Sequence, residues 1–519
     1  MMSKEIGLTL DRLFYRTLMV NPDEKIIYKD TYLTYKDFFK NSVKIANSLN
    51  ESGFKNINIG IMDWNTIEYA ELLYAIPFSG NVAHPINIRL PPENLIKTII
   101  EAKDSVIFFS KDMIPLIEKI KNLDIIPKKN LFYIGSEANG YNNFLDLLNN
   151  SNEKLNLNIN ENDPIMILFT SGTTGTPKGV KYTSREMILS IWSMLTQLSA
   201  FEGNSRLSSK DVVFSLIPFY HLISWGSLYI STLLGAKYVM DGKFDTESIL
   251  NAIKDNKVTW MAMVPTMLYQ LLSSKNADIM NGMKILIGGS VIPSGLVKMA
   301  MQRNIELTSI YGFTDGLGAG IGTLKQKGSR TKEEEYYDST AFFTPLPLTE
   351  YYFDESKGGE IYFRAPWLPN EYFNLPKEES DKAYTKDGWF LPGDAGSIEK
   401  DGKIKIIDRT KDLIKSGGEF IPSMKLEDLI SELESVELVA VVGKNNPQWI
   451  ERPWAFVKLK KGKNFNEKDA REHLEEYVKK GIIEKWWIPD KFIIIDDMPL
   501  TGTGKIDKKV LKDKINNSE

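Results

Sequence analysis

Short apolar runs alternate along much of the chain with longer segments whose apolar residues recur at helical spacing. The run IMILF (165–169) has the length and composition of a buried strand. Four similar runs follow it, namely VVFSLI, AKYVM, VTWMAMV and MKILIGG, and helical segments such as DTESILNAIKDN and TMLYQLLSS separate them. This alternation predicts an α/β protein with largely parallel sheets.

A helix is expected to begin at about Ser184. Thr183 is followed three residues later by Glu186, which is the spacing of a capping box. Two other stretches are predicted to lie at the surface and to form no core element. One is the Asn-rich connection YNNFLDLLNNSNEKLNLNINENDP, and the other is the charged, aperiodic segment 325–338, which we expect to be an exposed loop.

The pattern changes after the segment DGKIKIIDRTKD. The remaining residues contain two further helical segments, MKLEDLISELESV and EKDAREHLEEYVKKG, and a Gly-rich loop. The length of 519 residues exceeds what one hydrophobic core supports, since single cores stop growing at about 250–300 residues. We therefore predict a large N-terminal domain over 1–407, made of layered α/β subdomains and a β subdomain, and a small C-terminal α+β domain over 408–519.

Composition excludes several classes of protein. The 64 basic and 68 acidic residues give a net charge of −4, so the chain as a whole offers no basic field for nucleic acid. The sequence contains no cysteine, which excludes disulfides, a thiolate nucleophile and a cysteine metal site. Its three histidines (His84, His221 and His473) are too few and too scattered for a typical zinc cluster.

The beginning of the chain lacks the unbroken apolar core of a signal peptide. Charged residues, among them Lys4, Asp11 and Arg16, interrupt its apolar positions. No run of about 18 uncharged apolar residues occurs in the sequence, so no transmembrane segment is predicted. The expected location is the cytoplasm.

The strongest chemical signal is the segment ILFTSGTTGTPKGV (167–180). Its ten residues from Thr170 to Gly179 include three Gly, four Thr, one Ser and one Lys. Glycines let backbone N–H groups approach an anion closely, hydroxyls add donors, and Lys178 adds a positive charge. A loop of this kind between a strand and a helix suits a polyphosphate. The alternative is a Ser/Thr/Gly-rich linker.

The segment does not fit the two common nucleotide motifs. A Walker loop requires Gly immediately before its Lys, and Pro177 precedes Lys178 here. The glycines at 316, 318, 320 and 322 are spaced every second residue, so they do not form the G-x-G-x-x-G fingerprint of dinucleotide sites. A different class of phosphate loop is therefore indicated.

The segment resembles the signature loop of the adenylate-forming (AMP-binding) superfamily, which contains acyl-CoA synthetases, luciferases and adenylation domains of nonribosomal peptide synthetases. Further segments resemble the motifs of that superfamily in the expected order. They are LTYKDF, ELLYAIPFSGNVAHPINIRL, IGGSVIP (287–293), YGFTD (311–315), GWFLPGD (388–394), IIDRTKDLIKSGGE (406–419) and PLTGTGKID (499–507). The resemblance therefore covers nearly the whole chain.

The resemblance implies a reaction in two halves. A substrate carboxylate attacks the α-phosphate of ATP to give an acyl-adenylate and pyrophosphate, and the thiol of coenzyme A then displaces AMP. Because the carboxylate is already an anion at neutral pH, the first half needs positioning and charge stabilisation, with no activated nucleophile from the protein. Mg²⁺ is the implied cofactor, and ATP and coenzyme A are the implied co-substrates.

The resemblance assigns roles to individual residues. Those implied to hold the β- and γ-phosphates are Thr170, Ser171, Gly172, Thr173, Thr174, Gly175 and Lys178. Those implied to line the adenine, ribose and α-phosphate positions are Gly289, Ser290, Tyr311, Gly312, Thr314, Asp394 and Arg409. Among them, Tyr311 would stack on adenine and Asp394 would accept hydrogen bonds from the ribose. Lys505 would stabilise negative charge that develops between the carboxylate and the α-phosphate.

Two positions depart from the superfamily pattern. Asp315, the implied Mg²⁺ ligand, stands where relatives usually carry Glu, so it is one methylene shorter. Pro392 replaces the usual Thr before Gly393 and Asp394. The first departure bears on the geometry of the metal site, and the resemblance assigns no role to the second.

The segment PFYHLISWGSLY (218–229) resembles the acyl-pocket segment of medium- and long-chain fatty acyl-CoA synthetases. It implies that Trp225 lies at the entrance of an acyl tunnel and that His221 contacts the acyl or adenylate carbonyl. Gly288 is implied to line the same pocket. An aromatic stripe of a buried core helix is the alternative, and short hydroxy acids, branched acids and aryl acids remain open as substrates.

The segment IDRTKDLIKSGGE resembles the hinge of the superfamily, about which the C-terminal domain rotates between the two half-reactions. The implied pivot is Lys411. The residues implied to face the site after rotation are Lys415, Ser416, Gly417, Gly418 and Glu419. A plain hairpin turn between two strands is the other interpretation, and the two are compatible.

Two other functions remain open. One is a stand-alone adenylation enzyme that loads a carrier protein in place of coenzyme A, and the other is a non-catalytic nucleotide sensor. The retention of both Lys178 and Lys505 argues against a sensor. The expected partners are the small molecules of the reaction, with no nucleic acid and no transmembrane segment, and homo-oligomerisation is left open.

Overall fold

The computed structural model of the protein describes residues 6–136, 140–149, 152–154, 160–170, 178–201, 203, 205–290, 292–322, 336, 340–369, 371–373, 375–400, 402–500 and 506–516.

Helices are distributed along the whole chain. In chain order they are α1 (Arg12–Val20), α2 (Tyr35–Glu51), α3 (Ile67–Phe78), α4 (Pro92–Ala102), α5 (Ile114–Asn122), α6 (Ser184–Ser199), α7 (Leu222–Leu234), α8 (Thr246–Asn256), α9 (Pro265–Leu272), α10 (Ser294–Gln302), α11 (Lys377–Asp381), α12 (Ser423–Ser431), α13 (Glu467–Lys479) and α14 (Lys508–Asn516). None of the helices in the described residues is both long and apolar enough to cross a membrane.

The strands of the first half are β1 (Lys25–Tyr28), β2 (Thr31–Thr34), β3 (Asn58–Met62), β4 (Val82–Pro85), β5 (Asp104–Ser110), β6 (Leu131–Ile134), β7 (Asn142–Asn143), β8 (Pro164–Phe169), β9 (Gly179–Thr183), β10 (Val212–Ser215), β11 (Lys237–Met240) and β12 (Trp260–Met263). Those of the second half are β13 (Lys284–Gly288), β14 (Glu306–Tyr311), β15 (Gly320–Gly322), β16 (Phe343–Pro345), β17 (Glu350–Asp354), β18 (Glu360–Arg364), β19 (Tyr372–Phe373), β20 (Asp394–Ile398), β21 (Ile404–Arg409), β22 (Ile414–Ser416), β23 (Glu419–Ile421), β24 (Val436–Asn446), β25 (Ile450–Leu459) and β26 (Lys491–Ile494).

Two large sheets form the N-terminal part. The first has the order β17-β18-β20-β21-β16-β15-β14-β13-β12-β10-β11-β1-β2, and its strands from β14 to β1 are parallel. The rest of this sheet is antiparallel and forms the predicted β subdomain, which consists of β15, β16, β21, β20, β18 and β17. The second sheet has the order β19-β9-β8-β4-β3-β5-β6-β7 and is parallel from β8 to β7.

The main core lies between helices α1, α2, α3 and α7 and the faces of both sheets. Its largest members include the fully buried Phe14, Tyr74, Trp225 and Trp260. Parallel strands carry helices on their faces, so their residues are apolar on both sides, as in WMAM of β12. Separate apolar clusters cover the outer faces of the first and second sheets.

The C-terminal part has its own sheet, in which β23, β22, β25 and β24 are antiparallel neighbours and β26 is parallel to β25. Two apolar clusters belong to it, and one of them joins α12 and α13 to the sheet. The predicted fold class, an α/β protein with a large N-terminal domain and a small C-terminal α+β domain, is therefore confirmed. The predicted boundary at 407 falls inside β21, which continues to Arg409.

Several sequence predictions of local structure are confirmed. The apolar runs form β8, β10, β11, β12 and β13, and the two helical segments between them form α8 and α9. The Thr183 hydroxyl accepts a hydrogen bond from Glu186 N (3.2 Å), and the Glu186 carboxylate accepts one from Thr183 N (2.7 Å), so α6 begins with the predicted capping box.

Two surface predictions are wrong in part. The Asn-rich connection places Phe144 and Leu147 in the main core, where they are 1% and 6% exposed. Within 325–338, the one residue described is Tyr336, which is 4% exposed and packs in the cluster on the outer face of the first sheet. Phe144 and Leu147 lie three residues apart in a short 3₁₀ helix (Phe144–Asn149), and Tyr336 is also helical. Periodicity missed them because so few apolar residues stand between polar neighbours.

Candidate active site

The carboxyl ends of the parallel strands β13 and β14 form the edge at which ligands bind in open α/β sheets. Gly288 ends β13, and a Cβ placed on it would lie 2.6 Å from Ile310 and 3.1 Å from Ile223, so only glycine fits there. Gly289 has a φ of +95°, and both Gly289 and Ser290 are exposed beyond the strand. Gly288, Gly289 and Ser290 therefore present backbone to this edge.

The turn after β14 is held by hydrogen bonds from three directions. Thr314 to Gly316 form one turn of 3₁₀ helix. The Tyr182 hydroxyl donates to the Thr314 carbonyl (2.7 Å), and Trp367 Nε1 donates to the Gly316 carbonyl (2.6 Å). The Ser190 hydroxyl donates to the carbonyl of Leu317, whose φ is +44°. These contacts fix the implied α-phosphate residue Thr314 on rigid backbone.

Tyr311, Asp394 and Arg409 come together beside this turn. The Tyr311 hydroxyl donates to Asp394 Oδ2 (2.6 Å), and Arg409 Nε lies 2.9 Å from Asp394 Oδ1. Asp394 and Arg409 are paired residues of β20 and β21, and Asp394 is 5% exposed. Burial, reinforced by Asp394, raises the pKa of Tyr311 well above 10, so its hydroxyl stays a donor. The three residues implied for adenine, ribose and phosphate thus form one cluster.

The Tyr311 ring is held from one side by Phe343. Their ring centroids are 4.8 Å apart and the ring planes differ by 29°. Gly312, the next residue, is exposed, and a Cβ on it would lie 3.2 Å from Gly318 Cα. The backbone at Gly312 therefore passes close to the returning chain.

Asp315 is buried under the same turn with 8% of its surface exposed. Its Oδ1 has no hydrogen-bond partner among the described residues. Burial raises the pKa of Asp315, and the nearby Tyr372 hydroxyl and the charges of Lys178 and Arg409 oppose that rise. A buried carboxylate oxygen without a partner is a ligand that suits a hard cation, so Asp315 fits Mg²⁺.

Lys178 lies at the base of a β-hairpin formed by β8 and β9. Thr170 N donates to the Lys178 carbonyl (2.8 Å), and Phe169 pairs with Gly179. Lys178 Nζ lies 4.9 Å from the centroid of the Tyr372 ring. The residues Ser171, Gly172, Thr173, Thr174 and Gly175 lie outside the described residues.

The predicted position of this loop requires a correction. Strand β9 separates the loop from α6, so the loop joins two antiparallel strands and does not precede a helix N-terminus. The alternation of hydrophobic residues in GVKYT is too short to distinguish a strand from the beginning of the helix. The N-terminus of α6 therefore does not directly follow the loop.

A small apolar cavity lies between α6, α7 and strands β12 to β15. Its lining residues are Met194, Leu198, Leu207, Leu222, Ile223, Gly226, Ser227, Ile230, Trp260, Leu286, Ile310 and Ile321. Ile223 and Ile310 are also the side chains that pack over Gly288. Gly288 is therefore next to the cavity.

Trp225 does not lie at an entrance to this cavity, which corrects the prediction. Its side chain is fully buried, and its ring lies 5.6 Å from that of Tyr229 in the main core. The cavity is lined by the face of α7 that carries Leu222, Gly226 and Ile230, four residues apart, whereas Trp225 is on another face. His221 precedes α7 and is half-buried, with its ring 4.7 Å from that of Tyr220.

The implied pivot, Lys411, is exposed in the turn between β21 and β22. Strands β22 and β23 pair Ser416 with Glu419, so the hairpin interpretation of this segment is confirmed. Gly417 and Gly418 have φ values of +62° and +90°, which favour glycine. Lys415, Gly417, Gly418 and Glu419 are exposed, while Ser416 is 2% exposed and accepts a hydrogen bond from Arg452 (3.3 Å).

A second polar cluster links β21 to the C-terminal part, and sequence reasoning missed it. Asp408 Oδ2 accepts hydrogen bonds from Ser423 N and Ser423 Oγ, both 2.6 Å, at the beginning of α12. Lys508 Nζ lies 2.6 Å from Ser423 Oγ and 2.7 Å from Glu427 Oε1. Lys505 itself lies outside the described residues. Lys508 resembled the other lysines of the tail, so the sequence carried no signal for this contact.

Two family models match the chain in the order that the motifs predicted. The model described as AMP-binding enzyme matches residues 14–373, and the model described as AMP-binding enzyme C-terminal domain matches residues 425–505.

Relatives match over nearly the full length. A long-chain-fatty-acid–CoA ligase of Thermus thermophilus is 28% identical over 93% of this chain and 90% of its own. A 3-methylmercaptopropionyl-CoA ligase of Ruegeria lacuscaerulensis is 29% identical over 93% of this chain and 92% of its own. The solved structure of ATP-bound MatB from Rhodopseudomonas palustris has a TM-score of 0.83, with 21% identity over 99% of both chains. The structural likeness shows a shared fold.

Proposed function

We infer that this chain, which belongs to the AMP-binding enzyme family, is an acid–thiol ligase that forms acyl-CoA from a carboxylic acid, ATP and coenzyme A. The observation that carries the proposal is the cluster of Tyr311, Asp394 and Arg409 at the carboxyl end of the parallel sheet. It offers a buried carboxylate to ribose hydroxyls and a guanidinium to phosphate within one group of contacts. The names of the two sequence relatives as CoA ligases support the same activity.

In the first half-reaction, an oxygen of the substrate carboxylate attacks the α-phosphorus of ATP. The bond from this phosphorus to the bridging oxygen breaks, and pyrophosphate leaves with the electron pair, so no proton moves. Thr314, held at the rigid turn after β14, would contact the α-phosphate. Lys178 and the loop 171–177 would hold the leaving pyrophosphate, and Lys505 would meet the charge that develops during attack.

Asp315 would hold Mg²⁺ through its buried oxygen Oδ1. When bound, the ion supplies positive charge that offsets the charge of the polyphosphate.

In the second half-reaction, the sulfur of coenzyme A attacks the acyl carbon, the bond to the AMP oxygen breaks, and the thiol proton passes to solvent. We propose that rotation about Lys411 brings the exposed Gly417 and Gly418 to the site for this step. Both residues are glycines with positive φ, so they present backbone without side chains. The pantetheine arm would lie along this backbone. Residues 1–407 and 408–519 are the two bodies proposed to move.

The acyl group is proposed to enter the apolar cavity beside Gly288. Among the described residues that line it, only Ser227 and the Trp260 indole carry polar groups, and none is charged. A second carboxylate would lose its hydration there without a partner, which is costly. These properties support an apolar monocarboxylic acid, and we propose a medium-chain fatty acid or a related acid.

Competition between octanoic acid and octanedioic acid tests the acyl proposal, since the two differ only in the second carboxylate. The expected kcat/KM is much higher for octanoic acid.

Gly226→Leu should fill the cavity and lower kcat/KM for octanoic acid relative to butanoic acid by about tenfold or more. Gly226→Ala is the control, because a Cβ there meets Met194 at an ordinary 3.5 Å. Equal use of both acids, or an unchanged ratio in Gly226→Leu, would contradict the proposal.

The proposed location is the cytoplasm, and cell fractionation would test it.

A further inference from the structure

Tyr182 is a buried residue to which neither the motifs nor the proposed mechanism assigns a role. It lies in β9, four residues after Lys178, and pairs with Met166 of β8. The next residue, Thr183, caps α6. The Tyr182 side chain is 0% exposed, and burial raises its pKa well above 10, so its hydroxyl stays a donor. Strand pairing, the helix cap and burial therefore hold this side chain in place.

The Tyr182 hydroxyl joins two parts of the proposed site that belong to different sheets. It donates a 2.7 Å hydrogen bond to the carbonyl of Thr314, in the turn after β14. Strand β9 belongs to the second sheet, whereas β14 belongs to the first. The hairpin that carries Lys178 and the turn that carries Thr314 are thus linked directly through the Tyr182 side chain.

The two other side-chain contacts of this turn, described above, come from outside the hairpin. Ser190 donates to the Leu317 carbonyl from α6. Trp367 donates to the Gly316 carbonyl from the chain that follows β18 of the first sheet. Loss of the Tyr182 hydroxyl would therefore leave the turn held by these two contacts and would remove its link to the hairpin.

The two halves of the proposed reaction place different demands on this link. In the first half, Thr314 would contact the α-phosphate while Lys178 would hold the departing phosphates, so the bond that breaks lies between the two elements. A misplacement of about 1 Å can lower a rate about 10²-fold. In the second half pyrophosphate has left, and only the contact with the α-phosphate remains. The position of the hairpin relative to the turn therefore matters for the first half alone.

We propose that Tyr182 is a positioning residue that sets the distance between Lys178 and Thr314, and with it the alignment of the ATP bond that breaks in the first half-reaction. The proposal rests on the proposed function. Tyr182 contacts no substrate in this scheme, since it acts through the two elements that it joins.

Tyr182→Phe is the direct test, because it removes the hydroxyl and keeps the buried ring. Single-turnover release of pyrophosphate from ATP with octanoic acid measures the first half-reaction. Formation of octanoyl-CoA from supplied octanoyl-adenylate measures the second. Tyr182→Phe is expected to slow the first by about tenfold or more and to leave the second within about twofold of the wild-type rate.

Nucleotide binding gives a second measurement that needs no turnover. ATP would span the hairpin and the turn, whereas AMP would reach only the turn. Without the hydroxyl, ATP has to order the hairpin against the turn when it binds, and that ordering costs affinity. Calorimetry with Tyr182→Phe should therefore show weaker binding of ATP, by about tenfold, and unchanged binding of AMP, because Trp367 and Ser190 still hold the turn.

Tyr229→Phe is the matched control. Tyr229 is also 0% exposed, and its hydroxyl also donates to a backbone carbonyl, that of Leu73 (2.9 Å), in the main core. The variant loses the same kind of hydrogen bond away from the proposed site. Both half-reactions and both nucleotide affinities should stay at wild-type values.

Three results would each overturn the proposal: an unchanged rate of pyrophosphate release in Tyr182→Phe, equal slowing of the two half-reactions, or an equal loss of affinity for ATP and AMP. The second half-reaction and AMP binding, measured on the same variant, show whether the protein is folded. Failure of the proposed function is a separate result, since it would appear as a wild-type protein that releases no pyrophosphate with any acid.

Discussion

The hydroxyl of Tyr311 donates a 2.6 Å hydrogen bond to Asp394, and this contact joins the end of β14 to the beginning of β20. Arg409 neutralises the same carboxylate from β21. The parallel part of the first sheet and its antiparallel part therefore meet at one buried carboxylate.

Asp394→Asn should weaken ATP binding by about tenfold or more. The amide keeps the size of the side chain but removes the charge, so Arg409 loses its ion pair and the ribose loses a charged acceptor. Calorimetry with ATP measures the effect. Tyr351→Phe is a suitable control, since that hydroxyl donates to the Ala319 carbonyl (2.6 Å) in the same region. Wild-type affinity in Asp394→Asn would remove Asp394 from the nucleotide site.

Lys505→Ala should lower the rate of adenylation by about 10²-fold or more, on the scale of losing one donor to a developing charge. ATP binding should change little, because the charge that Lys505 meets forms only in the transition state. Acid-dependent release of pyrophosphate measures the rate. Lys509→Ala, in the exposed part of α14, is the control and should be near normal. A near-normal rate in Lys505→Ala would contradict the assignment.

Lys411→Pro should spare one half-reaction, expected to be adenylation, and slow thioester formation. Proline fixes one backbone torsion of the turn and removes an N–H, so it restricts the pivot while the exposed position tolerates the ring. Single-turnover assays of pyrophosphate release and of acyl-CoA formation separate the two halves. Lys411→Ala controls for loss of the charge. Equal slowing of both halves in a folded Lys411→Pro protein would mean that Lys411 is not the pivot.

A buried carboxyl far from the proposed site should make stability depend on pH. Glu71 in α3 is 2% exposed and accepts a 2.8 Å hydrogen bond from Asn41 Nδ2 in α2. Burial raises the pKa of Glu71 to about 8 from an ordinary value of 4.5. Between these values the folded protein keeps a proton that the unfolded chain has lost, so stability falls as pH rises from 4.5 to about 8.

Glu71→Gln should remove this dependence, because the amide stays neutral and keeps an oxygen for Asn41. The free energy of unfolding of the wild type should fall relative to the variant by about 1.4 kcal/mol for each pH unit within that range. Urea denaturation at several pH values measures the difference. The exposed Glu93→Gln should follow the wild type. Parallel curves for Glu71→Gln and the wild type would contradict the assignment.

The sequence predicted the elements whose signal is local. IMILF forms β8 because five adjacent apolar residues can be buried on both faces, and Thr183 with Glu186 begins α6 because a capping box needs only those two side chains. Strand β9 was missed because its five residues are partly polar and directly adjoin that helix. The membership of the superfamily was predictable because its motifs are ordered along the chain, and the family models confirm it.

Features that depend on distant residues could not be predicted in the same way. Trp225 lies in a segment that resembles an acyl pocket, but the direction of its side chain depends on how α7 packs against α3. Asp408 and Lys508 both contact Ser423, and they do so only because α12 and α14 pack near the end of β21. No motif spans these residues.

The measurement that tests the central claim most directly is an assay of ATP consumption over a panel of carboxylic acids, with and without coenzyme A, in which AMP, ADP, pyrophosphate and thioester are quantified together. The account predicts that an apolar monocarboxylic acid causes release of pyrophosphate, and that coenzyme A then yields equal amounts of AMP and acyl-CoA at an increased rate. Formation of ADP, no response to any acid, or AMP release that requires a carrier protein and ignores coenzyme A would contradict it.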